Sequence, residues 1–79
     1  MALSAKQEQE KKTVQQRFGR RLAELRNQKS ITQERFSFAL GVDRTYISYI
    51  ERGERNPSLY LLSRMAKVLG VQFRDLFIF

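Results

Sequence analysis

The sequence predicts an all-α fold, a compact five-helix bundle, and three observations carry that reading. Apolar residues recur at steps of three and four along most of the chain. Capping residues and glycines punctuate those runs at short intervals. No stretch shows the Val- or Ile-rich alternation that marks a strand.

Residues 1–13, MALSAKQEQEKKT, mix Lys6, Lys11 and Lys12 with Glu8 and Glu10, so they are expected to form a polar N-terminal arm, solvated or frayed, ahead of a domain at 14–79. Thr13 and Gln16 have capping-box spacing, and Val14, Phe18, Leu22 and Leu25 then mark an amphipathic first helix to about Gln28. Arg17, Arg20 and Arg21 give that helix a basic opposite face. Thr32 can cap a second helix that buries Phe36 and Leu40, and Gly41 offers the left-handed conformation that ends it. Asp43 is placed to cap a third helix running to about Arg52, before Gly53. Asn56-Pro57-Ser58 is a breaker followed by a cap, after which Leu59, Leu62, Met65, Ala66 and Leu69 mark a fourth helix closed by Gly70. Val71, Phe73, Leu76, Phe77 and Ile78 supply a short fifth.

At 79 residues there is room for one small domain. Fifteen Lys and Arg against eight Asp and Glu leave a formal charge of +7, which suits a polyanionic partner. The absence of Cys and His removes disulfides, thiolate and imidazole metal ligands and the commonest general base. No enzyme activity, cofactor or metal is therefore expected. No apolar run resembles a signal peptide or approaches the roughly 20 residues of a membrane span, so no membrane partner and a cytoplasmic location are expected.

The third helix carries the functional signal. At about 100° per residue, Arg44, Thr45, Ser48, Tyr49 and Arg52 share one arc, while Ile47 and Ile50 point the other way with Val42 beneath them. A solvated surface would account for such an arc on an isolated helix; its surroundings favour a reading surface. Arg44, in the first turn, is best placed to reach a guanine, and a bidentate pair there is worth about 1–3 kcal/mol of discrimination. The Thr45 methyl can sit against a thymine methyl. Gln33 opens the second helix, where its amide can bond a phosphate and brace the third helix, and Arg52, Arg55 and Asn56 cluster in the following loop. Two short helices meeting at Gly41, the second with a polar outer face, form the layout of a DNA-reading helix-turn-helix.

From about Phe18 to Phe77 the chain resembles the phage repressor and Cro-type (XRE-like, lambda-repressor-like) helix-turn-helix regulators. Within it, DRTYISYIERGERNPSL is most similar to the controller proteins of restriction-modification systems. The resemblance implies base-contacting positions at Arg44, Thr45, Ser48 and Tyr49, and backbone-contacting ones at Gln33, Tyr46, Arg52, Arg55 and Asn56. It also implies a partly buried ion pair between Arg26 and Glu51 that clamps the reading helix, consistent with Arg26 lying one turn past Leu22. Phe38 stands where the family usually has a polar residue, and Ser37 where alanine is common.

One reading helix spans few base pairs, so a homodimer on a pseudo-palindromic operator of double-stranded DNA is expected. Phe73, Phe77 and Phe79 are the interface candidates, with Val71 and Leu76 closing the monomer core. A half-exposed aromatic such as Phe38 is common and needs no partner; the alternative is a contact with RNA polymerase beside Glu34, in the case that the protein activates transcription. The alternative function is an antitoxin-type interaction module with secondary DNA binding, in which Phe38 and the C-terminal aromatics contact a toxin. A chain that is the N-terminal domain of a longer regulator would read the same way.

Overall fold

Ser4 and Gln7 form a reciprocal capping box that starts the first helix, α1 (Ala5–Gln28): the Gln7 N–H donates to Ser4 Oγ at 3.2 Å and the Ser4 N–H to Gln7 Oε1 at 2.9 Å. The structure, a computed structural model, describes residues 2–79, so Met1 of the expected arm lies outside the described residues. The helix thus begins well ahead of the expected Val14. The intervening Lys, Gln, Glu and Ala are good helix formers that need no cap at Thr13, whose hydroxyl instead donates to the Gln9 carbonyl at 3.0 Å. Residues 5–13 are all exposed and bury nothing. Val14, expected in the core, is also mostly exposed; the buried residues of α1 begin at Phe18.

The next three helices start and stop where their caps predict. Thr32 Oγ1 accepts from the Arg35 N–H at 3.1 Å and opens α2 (Gln33–Leu40), which Gly41 ends at φ 75°. Asp43 Oδ1 accepts from the Thr45 N–H at 2.7 Å and opens α3 (Arg44–Glu51). Ser58 Oγ accepts from the Leu61 N–H at 3.1 Å and opens α4 (Leu59–Leu69). The expected fifth helix is a 3₁₀-helix, Phe73–Phe77, whose five residues after the Gly70 turn form the kind of short piece in which i→i+3 bonding is used.

These elements enclose one core. Phe18, Leu22 and Leu25 of α1 meet Phe36 and Leu40 of α2, Ile47 and Ile50 of α3, Met65, Ala66 and Leu69 of α4, and Leu76 of the 3₁₀-helix. Fully burying side chains of this size contributes roughly 1.5–3 kcal/mol each. Leu59, on the α4 register but at its first turn, stays exposed. The small Ser37 is buried, with its hydroxyl donating to the Glu34 carbonyl at 2.8 Å.

Two glycines set how closely α1 approaches α3. A β-carbon on Gly19 would come within 2.5 Å of the Ile50 carbonyl oxygen and closer still to that of Glu51. Gly53, after α3, adopts φ 80°, and a β-carbon there would lie 2.6 Å from Gln16 Cγ. Gln15 Nε2 donates to the Gly53 carbonyl at 2.9 Å, fixing the loop to α1. Its Oε1 is the only buried side-chain polar atom without a partner among the described residues.

Candidate nucleic-acid interface

The two faces of α3 separate as its sequence requires. Ile47 and Ile50 are fully buried, Val42 packs partly beneath them, and Arg44 and Thr45 in the first turn are exposed. The Thr45 backbone N–H, and after it the Thr45 hydroxyl, hold the Asp43 carboxyl below the usual carboxylate range. That carboxylate neutralises part of the positive helix start and frames Arg44 beside it.

At the other end of the helix, Tyr49 is half-buried by arginines rather than by the core. The guanidinium carbon of Arg52 lies 4.9 Å, and that of Arg55 4.6 Å, from the centre of its ring. Arg52 also donates from Nε to Glu54 Oε2 at 2.8 Å and from Nη1 to Ser48 Oγ at 3.3 Å, while Arg55 Nη1 donates to the Glu54 carbonyl at 2.8 Å. Ser48 keeps its own O–H free to donate. The result is a patch with an exposed arginine and threonine at one end and two oriented guanidinium groups at the other.

Behind this face, a buried polar network ties α3 to α1 and α2. Arg26 grips Glu51 with two prongs, Nε to Oε2 at 2.7 Å and Nη2 to Oε1 at 3.0 Å, and its Nη1 donates to the Ile31 carbonyl at 2.8 Å. Gln33 Nε2 donates to Glu51 Oε1 at 2.8 Å. Gln33 therefore braces α3 with one amide hydrogen and retains a second.

Of the remaining residues singled out from the sequence, Asn56 is exposed in the loop beside Arg55. Tyr46 leans half-buried on the core rather than standing out with Arg44 and Thr45. Arg17 and Arg20 are exposed, but Arg21 folds inward and donates from Nε to the Asp75 carbonyl at 2.8 Å. Phe73, Phe77 and Phe79 gather at one end of the molecule, each about two-fifths exposed. Phe77 stacks on Phe18 with ring centres 5.8 Å apart and contacts Phe73 at 5.2 Å, so one of its faces closes the monomer; Arg17 lies over Phe79 at 5.2 Å. Phe38 is 88 % exposed beside Glu34.

Sequence reasoning missed Gly19 and Gln15, which place α1 against α3 and its following loop. Gly19 had left a trace: an isolated glycine between Phe18 and Leu22, in the buried register of a helix, signals a close approach of backbone. Gln15 left none. Among the described residues no His, Cys, Asp or Glu side chains gather in a group able to hold a metal, and no helix is long and apolar enough to cross a membrane.

Comparison with known proteins places this geometry among others. The helix-turn-helix family (HTH_3) matches residues 22–76. The chain is 47% identical over 60 residues to the control protein C.BamHI of Bacillus amyloliquefaciens, covering 75% of this chain and 74% of that one. It is 44% identical over 62 residues to the control protein C.MunI of a Mycoplasma species, covering 77% and 84%. The crystal structure of the restriction-modification controller protein C.AhdI from Aeromonas hydrophila superposes with a TM-score of 0.76 at 44% identity, over 78% of this chain and 94% of that one.

Proposed function

This chain belongs to the helix-turn-helix family of DNA-binding transcriptional regulators, of the restriction-modification controller type, and we propose that it acts as a homodimer on a pseudo-palindromic operator. The observation that carries the proposal is the exposed face of α3, with Arg44 and Thr45 at its start and Arg52 and Arg55 oriented at its end. Arg44, Thr45, Ser48 and Tyr49 reach base edges in the major groove. Gln33, Tyr46, Arg52, Arg55 and Asn56 lie along the flanking phosphates and set the register. Arg44 reads guanine and the Thr45 methyl meets thymine.

The dimer places two reading helices in successive major grooves about 34–36 Å apart. Phe73, Phe77 and Phe79 form its interface, supported by their exposure together with Ile78 at the same end of the molecule. Bound protein then blocks or recruits polymerase. The exposure of Phe38 beside Glu34 supports RNA polymerase as the recruited partner and equally supports the second reading, an interaction module that masks a toxin.

Footprinting on the DNA upstream of its own gene, with Arg44→Ala as the comparison, tests the reading. A protected, two-fold symmetric site whose preference over random DNA collapses in Arg44→Ala is expected. Equal preference in the variant refutes the role of Arg44, and protection without symmetry refutes the dimer. A chain that binds no duplex but captures a protein encoded beside it favours the second reading.

A further inference from the structure

We propose that the N-terminal turns of α1 form a second phosphate-binding surface, in which Lys11 and Lys12 join Arg55 and Asn56 to extend the duplex contact beyond the reading helix. This rests on the reading of α3 as the DNA-facing helix. The argument begins with register. Residues four apart share a face of a helix, so Lys11 lies in one row with Gln15 and Gly19, and Lys12 in one row with Gln16. Those rows face α3 and the loop after it: Gly19 abuts the Ile50 and Glu51 carbonyls, Gln15 donates to the Gly53 carbonyl at 2.9 Å, and Gln16 abuts Gly53.

Followed outward by one more turn, the same rows bring Lys11 and Lys12 into one open groove with Glu8, Glu54, Arg55 and Asn56. Of the two carboxylates there, Glu54 is already held by Arg52 at 2.8 Å. Neither lysine takes part in an ion pair among the described residues. The helix therefore continues past the core with ammonium groups in the register that is buried further along. Its start is fixed by the Ser4–Gln7 capping box, although residues 5–13 are all exposed. Lys11, Lys12 and Arg55 outnumber Glu8 and the already paired Glu54 in this groove; phosphates running past Arg55 and Asn56 supply the remaining counter-charge, and flexible lysine stems suit a non-directional contact of that kind. Lys11 and Lys12 lie outside the 22–76 family match, while Arg55 and Asn56 lie within it.

The test measures binding of the full chain to two labelled duplexes, one carrying the upstream DNA of its gene and one of scrambled sequence, across a salt series. Gln retains helix propensity close to that of Lys, so K11Q/K12Q keeps its helical circular dichroism. In that variant the slope of log affinity against log salt becomes shallower by about 2, and both duplexes weaken by the same factor. Lys67→Gln, which removes a charge on α4, leaves the slope as in the parent. An unchanged slope in K11Q/K12Q, or an equal change in Lys67→Gln, overturns the proposal while leaving the reading of α3 intact. A parent chain that binds neither duplex at any salt overturns both.

Discussion

Gly19 of α1 lies directly against the carbonyl oxygen of Ile50, so closely that a β-carbon built on it would be 2.5 Å away. That approach sets the depth at which α3 sits and leaves its outer face proud of the domain. It also lets Phe18 and Leu22, flanking Gly19, pack among the core residues Ile47 and Ile50.

Gly19→Ala separates two opposing effects. Helix propensity alone favours alanine by about 1 kcal/mol. The added carbon must push two backbone carbonyls aside, and such overpacking typically costs about 1–3 kcal/mol or more. The net expectation is a lower melting temperature, by about 4–8 °C per kcal/mol in a domain of this size. A midpoint that rises would show that α1 can move away from α3 freely.

Glu51→Ala leaves the Arg26 guanidinium buried without its carboxylate and frees the Gln33 amide. Removing one partner of a buried pair costs about 3–5 kcal/mol, a large share of the stability of a small domain. Urea unfolding followed by circular dichroism is expected to show loss of most of the folded baseline. A midpoint equal to the parent's would mean that the pair contributes nothing net.

The Asp43 carboxyl is held below its usual range by the Thr45 N–H and hydroxyl. A carboxyl depressed in the folded state stabilises it fully above the unfolded pKa, about 4, and loses that contribution as pH falls through the lower folded value. The melting temperature of the parent is therefore expected to fall more steeply below about pH 4 than that of Asp43→Asn. Parallel acid profiles would show that the cap does not titrate with folding.

Tyr49 offers a ring to Arg52 and Arg55, and the proposed reading gives its hydroxyl a base edge to contact. Tyr49→Phe keeps the ring, and with it the arginine positions, so it is expected to lose sequence preference while retaining most affinity for random DNA. Tyr49→Leu removes the ring and is expected to weaken binding on both; exposed cation–π contacts are worth about 0.5–1 kcal/mol each. If Tyr49→Phe matches the parent on upstream and random DNA alike, the hydroxyl reads nothing and the ring alone matters.

Helices α2, α3 and α4 were legible in the sequence because Thr32, Asp43 and Ser58 announce each start chemically and Gly41 and Gly70 two of the ends. The meeting of Arg26 with Glu51 followed from the family resemblance together with the helical register of Leu22. What resisted reading was of two kinds. The start of α1 was hidden because two capping boxes, one at Ser4 and one suggested by Thr13 and Gln16, compete in a segment whose composition favours helix throughout. Arg52 shares the helical arc of Tyr49, but the stacking of Arg55 on the same ring depends on the path of the loop after Gly53, which no periodicity encodes. Tyr46, for which the resemblance alone implied a backbone contact, leans half-buried on the core, and its helical position outside the arc of Arg44, Thr45, Ser48 and Tyr49 agrees with that.

A single carboxylate, that of Glu51, accepts hydrogen bonds from side chains on both α1 and α2 while belonging to α3. A genetic selection for lost regulation should therefore return substitutions at Arg26 and Gln33 alongside those at Arg44. Those at Arg26 would be distinguished by low cellular abundance, because proteases remove them before any promoter is reached.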